Sequence, residues 1–537
     1  MAALQAGGYD AIVIGAGPNG LVATNALADA GWSVLLLEAQ PEVGGAVRSA
    51  EVTAPGFTTD LFSAFYPLAA ASPVIRDLDL HHHGLEWRHA PAVLAHQLDD
   101  GRTAVLHRDP ARTAAGLDTF ASGDGDAWLA LFQEWQRVRD DVLTALFTPF
   151  PPVRAGSRLW RTLRTPGVLR LARLAVSPVR RFGEEQFAGE GARLLLTGNA
   201  QHSDIPPDGA GSALFGWLLA MLGQDVGFPV PHGGAGALAG ALAARARSRG
   251  AEIRTGAPVV EIVVRSRRAR AVRLADGTLL TASRAILADV TAPALYQELL
   301  SRVSMPARLR EGVRRFQWDN ATLKLNWALD GPVPWCGEEV RLAGTVHLGV
   351  DLDGFVDLAA DLAVGRMPRR PFVLFGQMTT ADPSRSPAGT ESAWAYTHLP
   401  HRHAADGAAL GRLTAQVEEA VERVAPGFGL LVRARHVQSP ADLEAADANL
   451  VGGALNAGTS GLHQQLLLRP VPGPGRPETP IDGLYLASAS AHPGGGVHGA
   501  CGWNAALTAL RAHGPLGAVR TALSRTAWDR VLADGER

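Results

Sequence analysis

The chain has little sulfur and almost no lysine. Its 537 residues include two cysteines, Cys336 and Cys501, far apart and outside any C-x-x-C spacing. That pattern excludes a disulfide scaffold and disulfide-exchange chemistry, and it suits a reducing compartment. Neither sign of charge dominates: the formal net charge is −2, so no overall field points to nucleic acid. No uninterrupted apolar run reaches the roughly 18 residues that would suggest a spanning helix. A secretory leader is not expected either, because the first apolar strand begins within about ten residues and no basic segment precedes a cleavage site. The location these absences favour is the cytoplasm. No Ser/His/Asp set, carboxylate pair or metal-ligand cluster stands out. His81-His82-His83 point in different directions with no Cys or carboxylate beside them, so a polar turn is expected and no metal. Among the 50 Lys and Arg residues just one, Lys324, is lysine. What the chain does have is apolar material, at 47% hydrophobic and 19% charged, enough for two or more cores.

The residues from Tyr9 to Glu38 carry the strongest local pattern. Tyr9-Asp10-Ala11-Ile12-Val13-Ile14 reads as a buried parallel strand. It runs into Gly15-Ala16-Gly17-Pro18-Asn19-Gly20, then a helix to Ala30, a stop at Gly31, and a second strand, Ser33–Leu37, ending in Glu38. Gly15 permits a tight turn, Gly17 a close approach of backbone to pyrophosphate, and Gly20 close helix–strand packing. The helix start offers free N–H groups to phosphate, and Glu38 stands near the spacing at which an acid takes ribose hydroxyls. A second glycine pair, Gly44-Gly45, and a basic Arg48 follow within ten residues. Here the segment resembles the FAD-binding flavoproteins with two dinucleotide-binding motifs, in which E-A-x-x-x-x-G-G follows the acid; Glu38 and Ala39 begin that pattern. The resemblance implies FAD rather than NAD.

Further along, Gly123 to Arg139 has a helical apolar face of Trp128, Leu129, Leu131, Phe132 and Trp135. Phe62, Phe65 and Tyr66 suggest either a pocket lining or core packing. Between 151 and 181 lie eight arginines and no acid, interleaved with Leu, Val and Trp160 and split by Pro166. This segment reads equally as a peripheral membrane contact and as a solvated helical face. The G-x-G-x-x-x-G at 234–240 follows a poor strand and no acid-terminated strand comes after it, so a second nucleotide domain is not expected. Strands are expected at 251–254, 259–264, 271–274 and 285–288, with Asp276-Gly277 as a hairpin turn. In Thr322–Trp327, alternation puts Leu323, Leu325 and Trp327 on one face and Thr322, Lys324 and Asn326 on the other. A single retained lysine suggests a need for a compact or titratable amine, near the flavin or orienting a water; chance retention stays open.

Near the C-terminus, Leu484–Ala487 reads as a buried strand, followed by Ser488-Ala489-Ser490-Ala491-His492-Pro493-Gly494-Gly495-Gly496-Val497-His498-Gly499 and a helix from Ala500. Three glycines at a helix start let backbone approach an isoalloxazine, and the helix dipole favours negative charge there. This stretch is similar to the closing signature of the phytoene desaturase (carotenoid dehydrogenase) family. The similarity extends to its branch of carotenoid ketolase-like proteins and pyridine nucleotide-disulfide oxidoreductase domain-containing protein 2. Pro231-His232-Gly233-Gly234, Lys324, Gly452-Gly453, Gln465 and Arg469-Pro470 fit the same branch. Ala489 departs from the wider pattern, where many relatives have an aspartate.

The resemblance implies an α/β fold: a Rossmann-type FAD-binding domain of the GDP-dissociation-inhibitor/amine-oxidase-like kind, interleaved with an α+β substrate domain. The expected division is 1–75, 226–300 and 431–515 for the first, 76–225 and 301–430 for the second, and a tail at 516–537. FAD is expected on Gly15, Gly17, Pro18, Asn19, Gly20, Glu38, Ala39, Gly44, Gly45, Arg48, the backbone at Val260, and Ser490, His492, Pro493, Gly494, Gly495, Gly496 and Val497. The candidate catalytic residues are Lys324 and His492, the latter as base, tether or merely a turn residue. The implied activity is dehydrogenation or desaturation of a small hydrophobic, isoprenoid or carotenoid-like substrate. An amine-oxidase-like oxidase and a non-enzymatic prenyl-binding escort stay open, as does a homo-oligomer.

Overall fold

A computed structural model of the chain describes residues 8–533; residues 1–7 and 534–537, at the ends of the expected first segment and tail, lie outside the described residues. The strand Tyr9–Ile14 is the middle of a parallel layer. Val34–Leu37 pairs on one side with Glu252–Arg254 beyond it, and Leu279–Ala288 pairs on the other with Leu484–Leu486 beyond. Both faces of this layer are covered, which is why its strands read as unbroken apolar runs. Alternation sorts them: Ala11, Val13, Val34 and Leu36 pack in the cluster with the helices Pro18–Asp29, Gly236–Ser248 and Ala500–Ala512. Ile12, Ile14, Leu35 and Leu37 pack on the other side with residues of an antiparallel meander. That meander is Val259–Arg265, Arg268–Leu274 and the start of Leu279–Ala288. Its second turn is the expected one, with Gly277 at φ +88 and the Asp276 carboxylate accepting from the Thr278 N–H at 2.8 Å.

The second sheet runs Val432–Gln438, Ala321–Leu329, Glu391–Leu399, Val373–Gln377, Ala343–Leu348, Ala92–Gln97, Thr103–Leu106. It is antiparallel except where Ala343–Leu348 meets Ala92–Gln97. Val432–Gln438, which the expected division assigned to the cofactor domain, is thus an edge strand of the second sheet. One face of the sheet rests on Val417, Val421 and other apolar residues of the helix Gly407–Val424. The expected tail contains a helix, Gly517–Leu532, anchored by buried Trp528 among Leu309 and Val471.

The helix Asp124–Phe147 buries Trp128, Leu131, Phe132 and Trp135 as the periodicity predicts, while Leu129 is only partly covered. The arginine-rich segment forms Val153–Val176, interrupted at Arg164 just before Pro166, which has no N–H for the helix ladder. Leu159, Leu163, Leu171 and Leu174 face the core, whereas Val153, Trp160, Leu169 and Val176 are more than half exposed. No helix among the described residues is long and apolar enough to cross a membrane.

Candidate active site

The glycine turn is tight for identifiable steric reasons. Gly15 adopts φ +93, and a Cβ on it would lie 2.6 Å from the Asp289 carbonyl oxygen. A Cβ on Gly17 would lie 2.9 Å from the Asp289 carboxylate, and one on Gly20 would collide with the Gly15 carbonyl. Gly17 caps the helix Pro18–Asp29, whose Gly20 N–H donates to Asp289 Oδ2 at 2.8 Å. Glu38, at the end of the second strand, is buried and accepts from the N–H groups of Ala16 at 2.7 Å and Gln40 at 2.8 Å. The second glycine segment lies directly on the first: Gly45, at φ +54, would place a Cβ 3.0 Å from Gly17 Cα, and Gly44 N–H donates to the Ala16 carbonyl at 2.8 Å. Arg48 braces this loop, donating to the carbonyls of Gly45 at 2.9 Å and Ala446 at 2.6 Å.

The closing motif arrives at the same place. Ala487 N–H donates to the Ala288 carbonyl at 2.8 Å, extending the parallel layer. Ser490 Oγ donates to the Ala457 carbonyl at 2.9 Å and accepts from Ala292 N–H at 3.1 Å. Gly502, in the first turn of Ala500–Ala512, packs on the backbone of Asn19, in the first turn of Pro18–Asp29. Two helix starts therefore converge, and with them two positive dipole ends. Asn19 Oδ1 is buried there without a hydrogen-bond partner among the described residues. These contacts bring the Gly15–Gly20, Gly44–Gly45 and closing segments together. Val260 lies on the outer meander strand with its side chain half exposed, and Ala39 is exposed.

A cavity of about 310 Å³ opens beside this cradle. Gly495, Gly496, Val497 and Pro493 form one side and Lys324, Trp394 and Tyr396 another. The sequence left Phe62, Phe65 and Tyr66 as either lining or core; they line the cavity, and Phe62 and Tyr66 are buried as well. Lys324 is buried on a strand covered on both faces. Its ammonium donates to the Asp60 carbonyl at 2.6 Å and to Asn326 Oδ1 at 2.5 Å, and it sits 5.5 Å over the Trp394 ring. Burial pushes Lys324 down to about 7; the Asp60 carboxylate opposes this and Arg385 adds to it. Asp60 and Arg385 form a fully buried ion pair.

His492 is placed differently. It is buried beside Phe150 with Nε2 unpartnered, and the cavity walls do not include it. Burial holds it down to about 4. The cavity histidine of the motif is His498, which accepts from Ala500 N–H through Nδ1 and donates to the Gly494 carbonyl through Nε2, at 3.0 and 3.2 Å. Cys501 is buried, and burial pushes its thiol up to about 12, far from a reactive thiolate. Arg469 organises the neighbouring loops by donating to the carbonyls of Asn456, Thr459 and Ala489. No group of three or more His, Cys, Asp or Glu among the described residues is placed to hold a metal.

Sequence reasoning missed Asp289. Burial, with Asp447 and Glu38 nearby, pushes its carboxyl up to about 8 against the pull of the Gly20 N–H. Its position directly after the strand Leu279–Ala288, facing the glycine turn, was the available signal. It also missed His202, His347 and His398, which come from three separate elements and share no spacing.

The residues present fit FAD: two glycine segments leave a cradle that a Cβ would fill, a buried acid closes the second strand, and a buried polar atom at the helix start has no partner. Fold and site together define an FAD-dependent oxidoreductase. The chain belongs to the flavin containing amine oxidoreductase family, whose model matches residues 19–336. Among curated proteins it is 29% identical to pyridine nucleotide-disulfide oxidoreductase domain-containing protein 2 of Mus musculus, over 94% of this chain and 93% of that one. It is 26% identical to the lycopene-forming phytoene desaturase of Pseudescherichia vulneris, over 91% and 96%. Among solved structures, an oxidoreductase from Methanosarcina mazei superposes with a TM-score of 0.63 at 16% identity, covering 93% of this chain and 99% of that one.

Proposed function

We propose that this protein dehydrogenates a hydrophobic, isoprenoid or carotenoid-like substrate. The observation that carries the reading is the cavity wall. Phe62, Phe65, Leu68, Leu146, Phe215 and Leu219 are typical of its lining, and no aspartate or glutamate is among the lining residues. A substrate that enters as a cation would meet only Lys324 as a charged partner. Bound FAD supplies the acceptor for a hydride leaving an activated C–H bond. The chain aligns that bond against the glycine-rich closing motif and keeps water away with its apolar walls. Lys324, poised about neutrality, holds or releases a proton beside the cavity, and His492 supports the turn. The likeness to phytoene desaturase favours the same substrate class.

An amine substrate is the second reading, favoured by the stacked Trp394 and Tyr396 rings, 6.0 Å apart and 12° from parallel. Against it, Lys324 already lies over the Trp394 ring, and in its protonated form it repels an ammonium there. A further part of the proposal is that Val153, Trp160, Leu169 and Val176, set among arginines, rest on an anionic lipid surface from which the substrate comes. Incubating the holoprotein with isoprenoid polyenes should yield products two hydrogens lighter by mass spectrometry. Conversion of primary amines to aldehydes, with polyenes untouched, would sink the reading.

A further inference from the structure

One wall of the cavity is polar in a way that a pure hydrocarbon would leave unused. It is the face of the second sheet. Register places Lys324, Tyr396, Leu374 and His347 in one cross-strand row, and Thr322 opposite His398 in another. Trp394 and Thr345 flank Gly376 in a third. Residues paired across a sheet share a face, so this side presents amine, phenol, imidazole and hydroxyl groups together. The hydroxyls of Thr322 and Thr345 and Nδ1 of His398 are buried without partners among the described residues. All three residues line the cavity, and buried polar groups are normally satisfied.

The protonation of His202 can be read from its neighbour. His202 Nε2 lies 3.0 Å from His347 Nε2, so one ring donates and the other accepts. His347 Nδ1 is buried with no partner, sealed by the backbone of Gly198 in the helix Glu190–Gln201. A stranded N–H is the costlier arrangement there. His347 therefore carries its proton on Nε2 and donates it, and His202 accepts. Neutral His202 is left with its proton on Nδ1. That nitrogen has no hydrogen-bond partner among the described residues and is not among the sealed atoms, and His202 lines the cavity. Burial holds both rings neutral, with His398 adding to the effect at His202. The Tyr396 hydroxyl likewise has no partner among the described residues, is unsealed and belongs to a residue of the cavity wall. Burial keeps its proton on.

We propose that the substrate carries an oxygen, as a carbonyl or hydroxyl, that accepts hydrogen bonds from His202 Nδ1–H and Tyr396 O–H, while its hydrocarbon chain lies on the apolar walls. This rests on the hydrophobic-substrate reading and narrows it: the site takes an oxygenated lipid in preference to a bare hydrocarbon. The pair His202–His347 acts by fixing the tautomer, so His347 is a positioning residue and His202 a specificity residue.

The test compares farnesol and farnesal with β-farnesene, which shares the carbon chain but has no oxygen, as ligands of the FAD-loaded full chain. Dissociation constants are read from the perturbed visible flavin spectrum. The oxygenated ligands are expected to bind roughly tenfold tighter than the hydrocarbon, as a net hydrogen bond allows. His202→Leu and Tyr396→Phe should each shrink that ratio several-fold, with farnesene affinity held or improved; His202→Gln, which keeps a donor, should retain more of it than His202→Leu. Because the ratio is compared between wild type and variants, differences in ligand solubility cancel. Equal affinities, or a preference that survives both variants, would overturn this proposal alone. Absence of binding by all three ligands, with the flavin reduced by amines, would overturn it together with the hydrophobic-substrate reading.

Discussion

Lys324 is the only lysine in the chain, so a lysine label reports one side chain without assignment. Burial holds it down to about 7 from its ordinary 10.5. That gap corresponds to about 5 kcal/mol of differential stabilisation of the neutral amine at 1.36 kcal/mol per pH unit. The sign follows from proton counting. Between about pH 7 and 10.5 the unfolded chain binds a proton at this site that the folded chain does not, so stability rises with pH across that window. Below pH 7 the stabilisation is absent, and above 10.5 it is complete. Lys324→Met removes the titration. The stability difference between wild type and variant should move in the wild type's favour by about 2 kcal/mol from pH 7 to 9. Titration of lysine labelled at Cε and Nζ, followed by nuclear magnetic resonance, should give a midpoint near 7. A midpoint near 10.5, with a pH-independent stability difference, would refute the reasoning: the amine would then be solvated or better paired than its contacts with Asp60 and Asn326 indicate.

Gly45→Ala should fold yet bind flavin more weakly: its Cβ meets the Gly17 backbone in a left-handed conformation, and the FAD dissociation constant, titrated by the 450 nm absorbance, should rise about tenfold. Arg385→Met leaves Asp60 buried without its cation; the denaturation midpoint should reflect a loss of about 3–5 kcal/mol, partly restored by adding Asp60→Asn. Sedimentation with phosphatidylglycerol vesicles should exceed that with phosphatidylcholine vesicles, and Trp160→Glu with Leu169→Glu should abolish the difference.

What the sequence disclosed and what it hid divide along chain separation. The strand–turn–helix–strand from Tyr9 to Glu38 is written in consecutive residues, because glycine sterics and a helix start are local properties. The closing motif is equally local, and so is the alternation that turns Lys324 toward the cavity. The contact of Gly45 with Gly17 follows from the order of the two motifs. The ion pair of Asp60 with Arg385 does not, because its partners lie in separate segments joined only by folding. The same holds for His202 on His347, where a helix end meets a strand of another segment, and for Asp289 with Asp447. Of the two histidines in the glycine turn, which local sequence alone does not tell apart, His498 lines the cavity and His492 does not. Val432–Gln438 was misplaced for a related reason, since nothing in a single strand states which sheet it will join.

The most direct test of the central claim is anaerobic mixing of the FAD-loaded protein with polyenes and with primary amines, following the oxidised-flavin absorbance near 450 nm. Bleaching by an isoprenoid substrate is expected, fastest for one bearing an oxygen, and none by amines. Rapid reduction by amines with every isoprenoid inert would contradict it.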